Sequence, residues 1–298
     1  MTPAHSHRPS IHSRAFALGV GLNLAFVVVE VIAGLTSGSL ALIADAGHNF
    51  SDVLGLLLAW GASHLAKRKP TARRTYGLRR SSILAALLNA ALLLIAVGAI
   101  AWEAVGRFSR PAPVAGPTIV LVAAIGVVIN AATALFFLKG KEEDLNIRGA
   151  FLHMVADAAV SFGVVAAGML IGLTRWNWVD PAISLAIVAV ITIGTWDLLR
   201  RSIDLALDSV PAGIDPAEVR RFLAGLPEIA GVHDLHIWAM SATETALTAH
   251  LLRPDGRVDD DWLADVSKAL QNRFAIEHVT IQVERGGGSA CSQSNGNV

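Results

Sequence analysis

Gly38-Ser39-Leu40-Ala41-Leu42-Ile43-Ala44-Asp45-Ala46-Gly47-His48-Asn49-Phe50-Ser51-Asp52 opens an apolar run that continues to His64, and a second run, from Ile147 to Leu173, carries His153-Met154-Val155-Ala156-Asp157. Both polar interruptions read H-x-x-x-D. Residues four apart share one face of a helix, so each motif aims an imidazole and a carboxylate the same way. Ionisable groups at bilayer depth are costly and mark function. One such pair is equally well a helix–helix hydrogen bond. Two matched pairs supply four ligands, one tetrahedral Zn²⁺ shell, whereas Mg²⁺ and Ca²⁺ prefer all-oxygen shells. Four protein ligands leave no open position for catalysis, so a metal held there is cargo. Asp45, three residues before His48, is either a carboxylate that orients a ligand or an interhelical contact.

Composition agrees with a membrane setting. The 298 residues are 53% hydrophobic and 16% charged, against roughly 25% charged in soluble domains, and the mean hydropathy is +0.54. Zero net charge gives no indication of a nucleic-acid partner. The single cysteine, Cys291, lies in a Gly/Ser tail, so one chain makes neither a disulfide framework nor a Cys-rich metal site. Met1 to Arg14 has no apolar segment beside a cleavage site, so no cleaved signal peptide is expected. Its histidines, His5, His7 and His12, either scavenge zinc or are inert.

A spanning helix needs about 20 mostly apolar residues. Six stretches qualify, near 15–36, 39–64, 82–107, 116–138, 148–173 and 180–200. Asp180-Pro181 is expected to open the sixth as N-cap and first-turn proline. Lys67, Arg68, Lys69, Arg73, Arg74, Arg79 and Arg80 follow the second stretch, Lys139, Lys141 and Arg148 follow the fourth, and Arg200 and Arg201 follow the sixth. Opposite connections carry few basic residues, which puts both termini in the cytoplasm and the protein in the inner membrane, in contact with the lipid bilayer. Trp176 and Trp178 suit the outer interfacial belt. Beyond Asp208 the pattern changes to helix, strand, strand, helix, strand, a small α/β domain of order αββαβ, metallochaperone-like or ferredoxin-like. The expected organisation is therefore an N-terminal tail (1–14), an α-helical membrane domain of six transmembrane helices (15–207), a cytoplasmic domain (208–285) and a tail (286–298).

Several strings together carry a family resemblance. Gly38 to Asp52, Thr75-Tyr76-Gly77 with Ile83 to Ala90, Asn146 to Asp157, and Val232-His233-Asp234-Leu235-His236-Ile237-Trp238 resemble the cation diffusion facilitators, specifically their zinc-exporting branch. The resemblance runs from about residue 15 to 284. It implies a homodimer that exports Zn²⁺ in exchange for protons, with His48, Asp52, His153 and Asp157 as the transport site. It also implies a second, regulatory zinc in the cytoplasmic domain, held by His233, His250 and Glu284. A hairpin centred between Ser241 and Ala242 sets His233 opposite His250. Gln282 stands where some relatives have a further histidine. His236, three residues from His233, is expected on the other sheet face, as a ligand at the dimer interface or a plain surface histidine. The connection from Thr71 to Arg80 lacks the Asp/His site of one branch, so no metal is expected there, and its arginines are expected to hold lipid headgroups or repel cations.

Ligands must shed protons to bind metal, so metal and proton compete for the same lone pairs. Imidazole titrates near neutral pH, which suits exchange across a proton gradient. No P-loop string is present, and no H-E-x-x-H supports the rival reading of a membrane metalloenzyme. A passive channel or membrane-anchored sensor is the other alternative. Cd²⁺, Co²⁺ and Ni²⁺ compete with Zn²⁺ as substrate, and two histidines disfavour Mn²⁺. Asn23, Glu30, Asn89, Glu103 and Asn130 are expected to lock helices together or line a pathway.

Overall fold

The computed structural model describes residues 12–137, 145–255 and 259–285. His5, His7, Lys139, Lys141 and Cys291 lie outside them. Six long helices come first: α1 (His12–Ser37), α2 (Leu40–Ala66), α3 (Ser81–Ser109), α4 (Gly116–Phe137), α5 (Leu145–Thr174) and α6 (Val179–Ala206). Among the described residues four segments are long and apolar enough to cross a membrane: Ser81–Ser109, Gly116–Leu135, Phe151–Thr174 and Val179–Ala206. The described apolar part of α1, Gly21–Ser37, is shorter. α2 has the length, at 27 residues, but Asp45, His48, Asn49 and Asp52 dilute its apolar character. The outward faces fit lipid: Trp102 and Leu173 are 85% and 86% exposed, an arrangement that water would penalise.

Two compact units divide the chain, one of Met1–Leu57 with Asn89–Asp197, the other of Leu58–Leu88 with Leu198–Val298. In the first, Leu42, Val97, Ala123, Val164, Ile171 and Ile187 belong to one buried apolar cluster. Small residues let α4 and α5 approach closely: a Cβ on Gly116 would sit 2.7 Å from the Gly168 carbonyl oxygen and 2.8 Å from the Gly172 nitrogen. This is the usual way membrane helices gain contact where no hydrophobic drive separates helix from lipid.

In the second unit α7 (Pro216–Ala224), β1 (Gly231–Ala239), β2 (Thr245–Leu252), α8 (Asp260–Phe274) and β3 (His278–Glu284) form a helix layer on a three-stranded sheet of order β1-β2-β3. β1 and β2 are antiparallel, and β2 and β3 are parallel with α8 as the crossover. Asp215 caps α7 by accepting from the Ala217 N–H at 2.9 Å, and Pro216 follows it at the first helical position. Asp259 caps α8 through the Trp262 N–H at 2.6 Å. Val219 and Leu223 of α7 and Val266 and Leu270 of α8 bury against Leu235, Ile237, Leu247 and Leu251 of the sheet. At 1.5–3 kcal/mol for each fully buried large aliphatic side chain, those contacts outweigh capping and propensity here.

The α2–α3 connection belongs to this second unit. Arg79 Nη1 donates to Glu244 Oε2 at 3.1 Å, Arg80 pairs with Asp208, and the Ala242 N–H donates to Ser82 Oγ at 2.9 Å. Tyr76 meets His278 edge to face at 5.6 Å. Two of the arginines expected to face lipid are thus taken by protein carboxylates, because the β1–β2 turn and the segment after α6 bring acids within their reach.

Candidate metal centre

α2 and α5 each present the one-turn pair that their sequence spacing dictates. His48 Nε2 lies 3.1 Å from Asp157 Oδ1 and 3.9 Å from Asp52 Oδ2. His153 Nε2 lies 3.2 Å from Asp52 Oδ2 and 3.5 Å from Asp157 Oδ2. The imidazole rings are 5.9 Å apart and nearly perpendicular. Zn–N and Zn–O bonds near 2.0–2.1 Å give a tetrahedron with edges of about 3.3 Å. These four separations lie near that edge, and one ligand atom from each of His48, Asp52 and Asp157 lies within 4.8 Å of the others, whereas His153 stands outside that mutual group and reaches only the two carboxylates. Asp157 is buried, whereas His153 is 44% exposed at its side chain and gives the cluster an open side.

A ring of polar partners holds α2 behind this cluster. Asp45, fully buried, accepts from Ser161 Oγ of α5 at 3.1 Å. Asn49 donates to Glu30 of α1 at 2.9 Å, and Asn89 of α3 donates to Ser51 at 3.3 Å. Glu103 accepts from Arg107 at 3.1 Å. Asp45 thus bonds to α5 one turn from the candidate ligand His48, and Glu30, Asn89 and Glu103 each bond to a neighbouring side chain. Neither Ser161 nor Asn49 stands out in the sequence, since a lone serine or asparagine in an apolar helix carries no pattern that names its partner.

Asp180 behaves differently from the sequence expectation. α6 begins at Val179, so Asp180 lies inside the first turn and does not cap its own helix. Its carboxylate accepts instead from Ser39 Oγ at 2.5 Å and from the Leu40 and Ala41 N–H groups at 2.8 and 3.3 Å. Ser39 Oγ in turn accepts from the Leu42 N–H at 3.2 Å. The orphan donors at the start of α2 are therefore satisfied jointly by its own cap and by α6. Arg107 donates to the Gly38 carbonyl and holds Nη1 3.9 Å from Asp180 Oδ2. Gly38 itself has φ +72, the left-handed geometry a tight interhelical turn requires.

In the second unit the sheet face away from the helices carries a second cluster. His233 Nε2 lies 3.1 Å from Glu284 Oε2, and His250 Nδ1 lies 2.9 Å from Glu284 Oε1. The rings of His233 and His250 are 5.1 Å apart, and His233 Nδ1 is buried with no hydrogen-bond partner. Two imidazoles converging on one carboxylate fit a zinc donor set, with a fourth place for water or another side chain.

His233 pairs with His250. The pairing nearest the turn, from Ala239↔Thr245 to His236↔Thr248, centres on Ala242, and a bulge between His233 and His236 shifts the register by one. Asp234 sits in that bulge at φ +51, a conformation aspartate tolerates better than most residues. The extra residue reverses the side-chain alternation, so His236 shares the face of His233 and His250 and does not point to the opposite side. Asp234 joins them, with its carboxylate oxygens 3.0 Å from His236 Nε2 and 3.5 Å from His250 Nε2. Asp234 is thus part of the cluster, a residue that strand spacing alone does not pick out. Gln282 donates to Glu284 Oε1 at 3.0 Å and supports the carboxylate.

A helical membrane domain that gathers histidines and carboxylates from two helices, joined to a small domain with its own histidine cluster, has the features of a multi-pass membrane transporter for metal cations. Residues 17–205 match the cation efflux transmembrane domain and residues 211–286 match the cytoplasmic domain of cation efflux proteins. The chain belongs to the cation efflux family. It is 36% identical to the metal cation efflux system protein CzcD of Cupriavidus metallidurans, over 95% of this chain and 90% of that one. It is 35% identical to the zinc transporter ZitB of Escherichia coli, over 95% and 93%. It is also 32% identical to the cadmium, cobalt and zinc/H(+)-K(+) antiporter of Bacillus subtilis, over 94% and 91%. A solved structure, the metal-bound C-terminal domain of the CzcD transporter, is 37% identical and covers 24% of this chain and 99% of its own, with a TM-score of 0.22.

Proposed function

We propose that the protein is a homodimeric secondary transporter that exports Zn²⁺ from the cytoplasm across the inner membrane in exchange for protons. The observation that carries this is the meeting of His48 and Asp52 of α2 with His153 and Asp157 of α5 at donor separations of 3.1 to 3.9 Å. Those four side chains hold the ion, and Asp45 braces α2 against α5 behind them. All six long helices span, with both termini and the residues after 207 on the cytoplasmic side; the basic residues after α2 and α6 support that orientation. α1 and α2, at 26 and 27 residues, have the length to span beside the four apolar segments.

Release follows from competition. A proton arriving on imidazole or carboxylate removes the lone pair the metal uses, so an acidic exterior discharges the ion and reloads the site with protons. Relatives named for zinc, and for cadmium, cobalt and zinc with protons and potassium, support the substrate class and the exchange. The regulatory zinc of the cytoplasmic domain is held by His233, His250 and Glu284, with His236 and Asp234 beside them; bound there it ties the three strands together across one sheet face and reports cytoplasmic metal.

The test is uptake of Zn²⁺ and Cd²⁺ by sealed inside-out vesicles under imposed pH gradients. Acid-inside vesicles should accumulate zinc against its gradient, and a protonophore should stop accumulation. Uptake that only equilibrates zinc, at any pH gradient, would make the protein a passive channel.

A further inference from the structure

Asp180 is fully buried, and among the described residues the donors that it accepts from lie on α2 or in the turn before it: Ser39 Oγ at 2.5 Å, Leu40 N–H at 2.8 Å and Ala41 N–H at 3.3 Å. Among the described residues Arg107, with Nη1 at 3.9 Å, balances the charge, and the same guanidinium donates to the Gly38 carbonyl. A carboxylate that caps a helix other than its own is a joint between helices. α2 also has a cap of its own, because Ser39 accepts from the Leu42 N–H at 3.2 Å, beside the two donors that Asp180 takes.

From this we infer that Asp180 is a positioning residue for ion transport, which anchors the first turn of α2 to α6 and so sets where the ligand-bearing part of α2 stands. The inference rests on the proposed reading of His48 and Asp52 as ligands. Separating the two helices here would strand a buried carboxylate and two backbone donors away from water, which makes breaking the joint costly. His48 lies eight residues along α2 from Leu40, about 12 Å at 1.5 Å per residue. A tilt of about 10° at the cap would then displace His48 by about 2 Å, ten times the roughly 0.2 Å tolerance of a metal–ligand bond. α6 contributes no ligand to the cluster, yet through Asp180 it sets where two of the four stand.

Two roles are distinguishable: a cap that merely stabilises α2, and a tether that aims it. Asp180→Ala removes both. Ser39→Asp combined with Asp180→Ala places a carboxylate at α2's own N-cap and restores capping without the tie to α6. All variants are purified full length, checked for folded dimer, and assayed in vesicles beside the parent, whose zinc uptake tests the proposed function separately. The expected result is folded Asp180→Ala protein with its KM for Zn²⁺ raised about tenfold or more and a lowered zinc-to-cadmium ratio, as outer-shell changes around metal ligands do. The double variant should recover thermal stability without recovering KM. Recovery of transport in the double variant, or unchanged KM and metal ratio in folded Asp180→Ala, would overturn the tether. Should Asp180→Ala fail to fold, Asp180→Asn keeps one acceptor oxygen and Ser39→Ala removes one donor. KM should then rise in both, more in Asp180→Asn, and an unchanged KM in Asp180→Asn would overturn the inference.

Discussion

The two histidine clusters are built from nearly the same side chains by opposite means. In the membrane unit each half of the site is a one-turn repeat on a single helix, and two rigid helices bring the halves together. In the C-terminal unit no strand contains a complete half. His233, His250 and Glu284 come one from each of three strands, and their convergence depends on a one-residue bulge at Asp234. A helix-borne site is fixed by helix packing and tolerates little rearrangement. A sheet-face site is fixed by register and sits at the surface, where a bound ion changes stability more readily than it changes a path through the membrane.

The sharpest break of that comparison is Asp157→Ala. It should lower zinc transport by roughly 100-fold or more, since even outer-shell losses cost 10–100-fold, while the purified protein stays folded and dimeric; vesicle uptake beside size-exclusion chromatography checks both. The corresponding lesion in the second cluster, His233→Ala with His250→Ala, should lower transport by less than about fivefold, the low end of coupling between distinct sites. In a soluble fragment of residues 208–286 the parent should gain roughly 10 °C or more in Tm at zinc about 100 times its Kd, and the double variant should lose most of that gain. Complete loss of transport in the folded double variant would reverse the ranking of the two clusters.

Finer changes sharpen the contrast. His48→Asp exchanges a nitrogen donor for oxygen and should shift the zinc-to-cadmium transport ratio about tenfold toward cadmium, equal to about 1.4 kcal/mol of differential binding; competition between the two ions in vesicles reads it directly. Asp234→Gly keeps the bulge geometry and should change fragment stability by under about 1 kcal/mol. It should nonetheless weaken the zinc-induced Tm gain, because His236 and His250 lose the carboxylate between them. An unchanged gain would leave Asp234 with a backbone role only.

What the sequence disclosed follows the same division. Helix-borne features were legible: the H-x-x-x-D spacing converts directly into shared facing, and the six apolar runs lie within about six residues of the observed helix ends. α6 runs to Ala206, past its expected end near 200, since nothing breaks the helix before Asp208 at φ +61. The β1–β2 pairing of His233 with His250 was also accessible from hairpin symmetry. His236 was misplaced because a bulge is a backbone event, and one inserted residue reverses every inference from period-two alternation. Asp180 illustrates a different limit. An acid before a proline announces a cap, but only the packing of α6 beside α2 decides whose N–H groups it serves. The pairs Ser161–Asp45 and Asn49–Glu30 are hidden for the same reason: each is a contact across helices between residues with no periodic signature.

The grip of the α2–α3 connection on the β1–β2 turn sets a rule for recombining relatives. Arg79 with Glu244, Ser82 with Ala242 and Arg80 with Asp208 join residues more than a hundred positions apart into one folded block. A chimera spliced only after α6 would import a foreign turn to face a native arginine. The exchangeable part is therefore discontinuous in sequence: a functional graft carries the stretch from about Leu58 to Leu88 together with everything after Leu198.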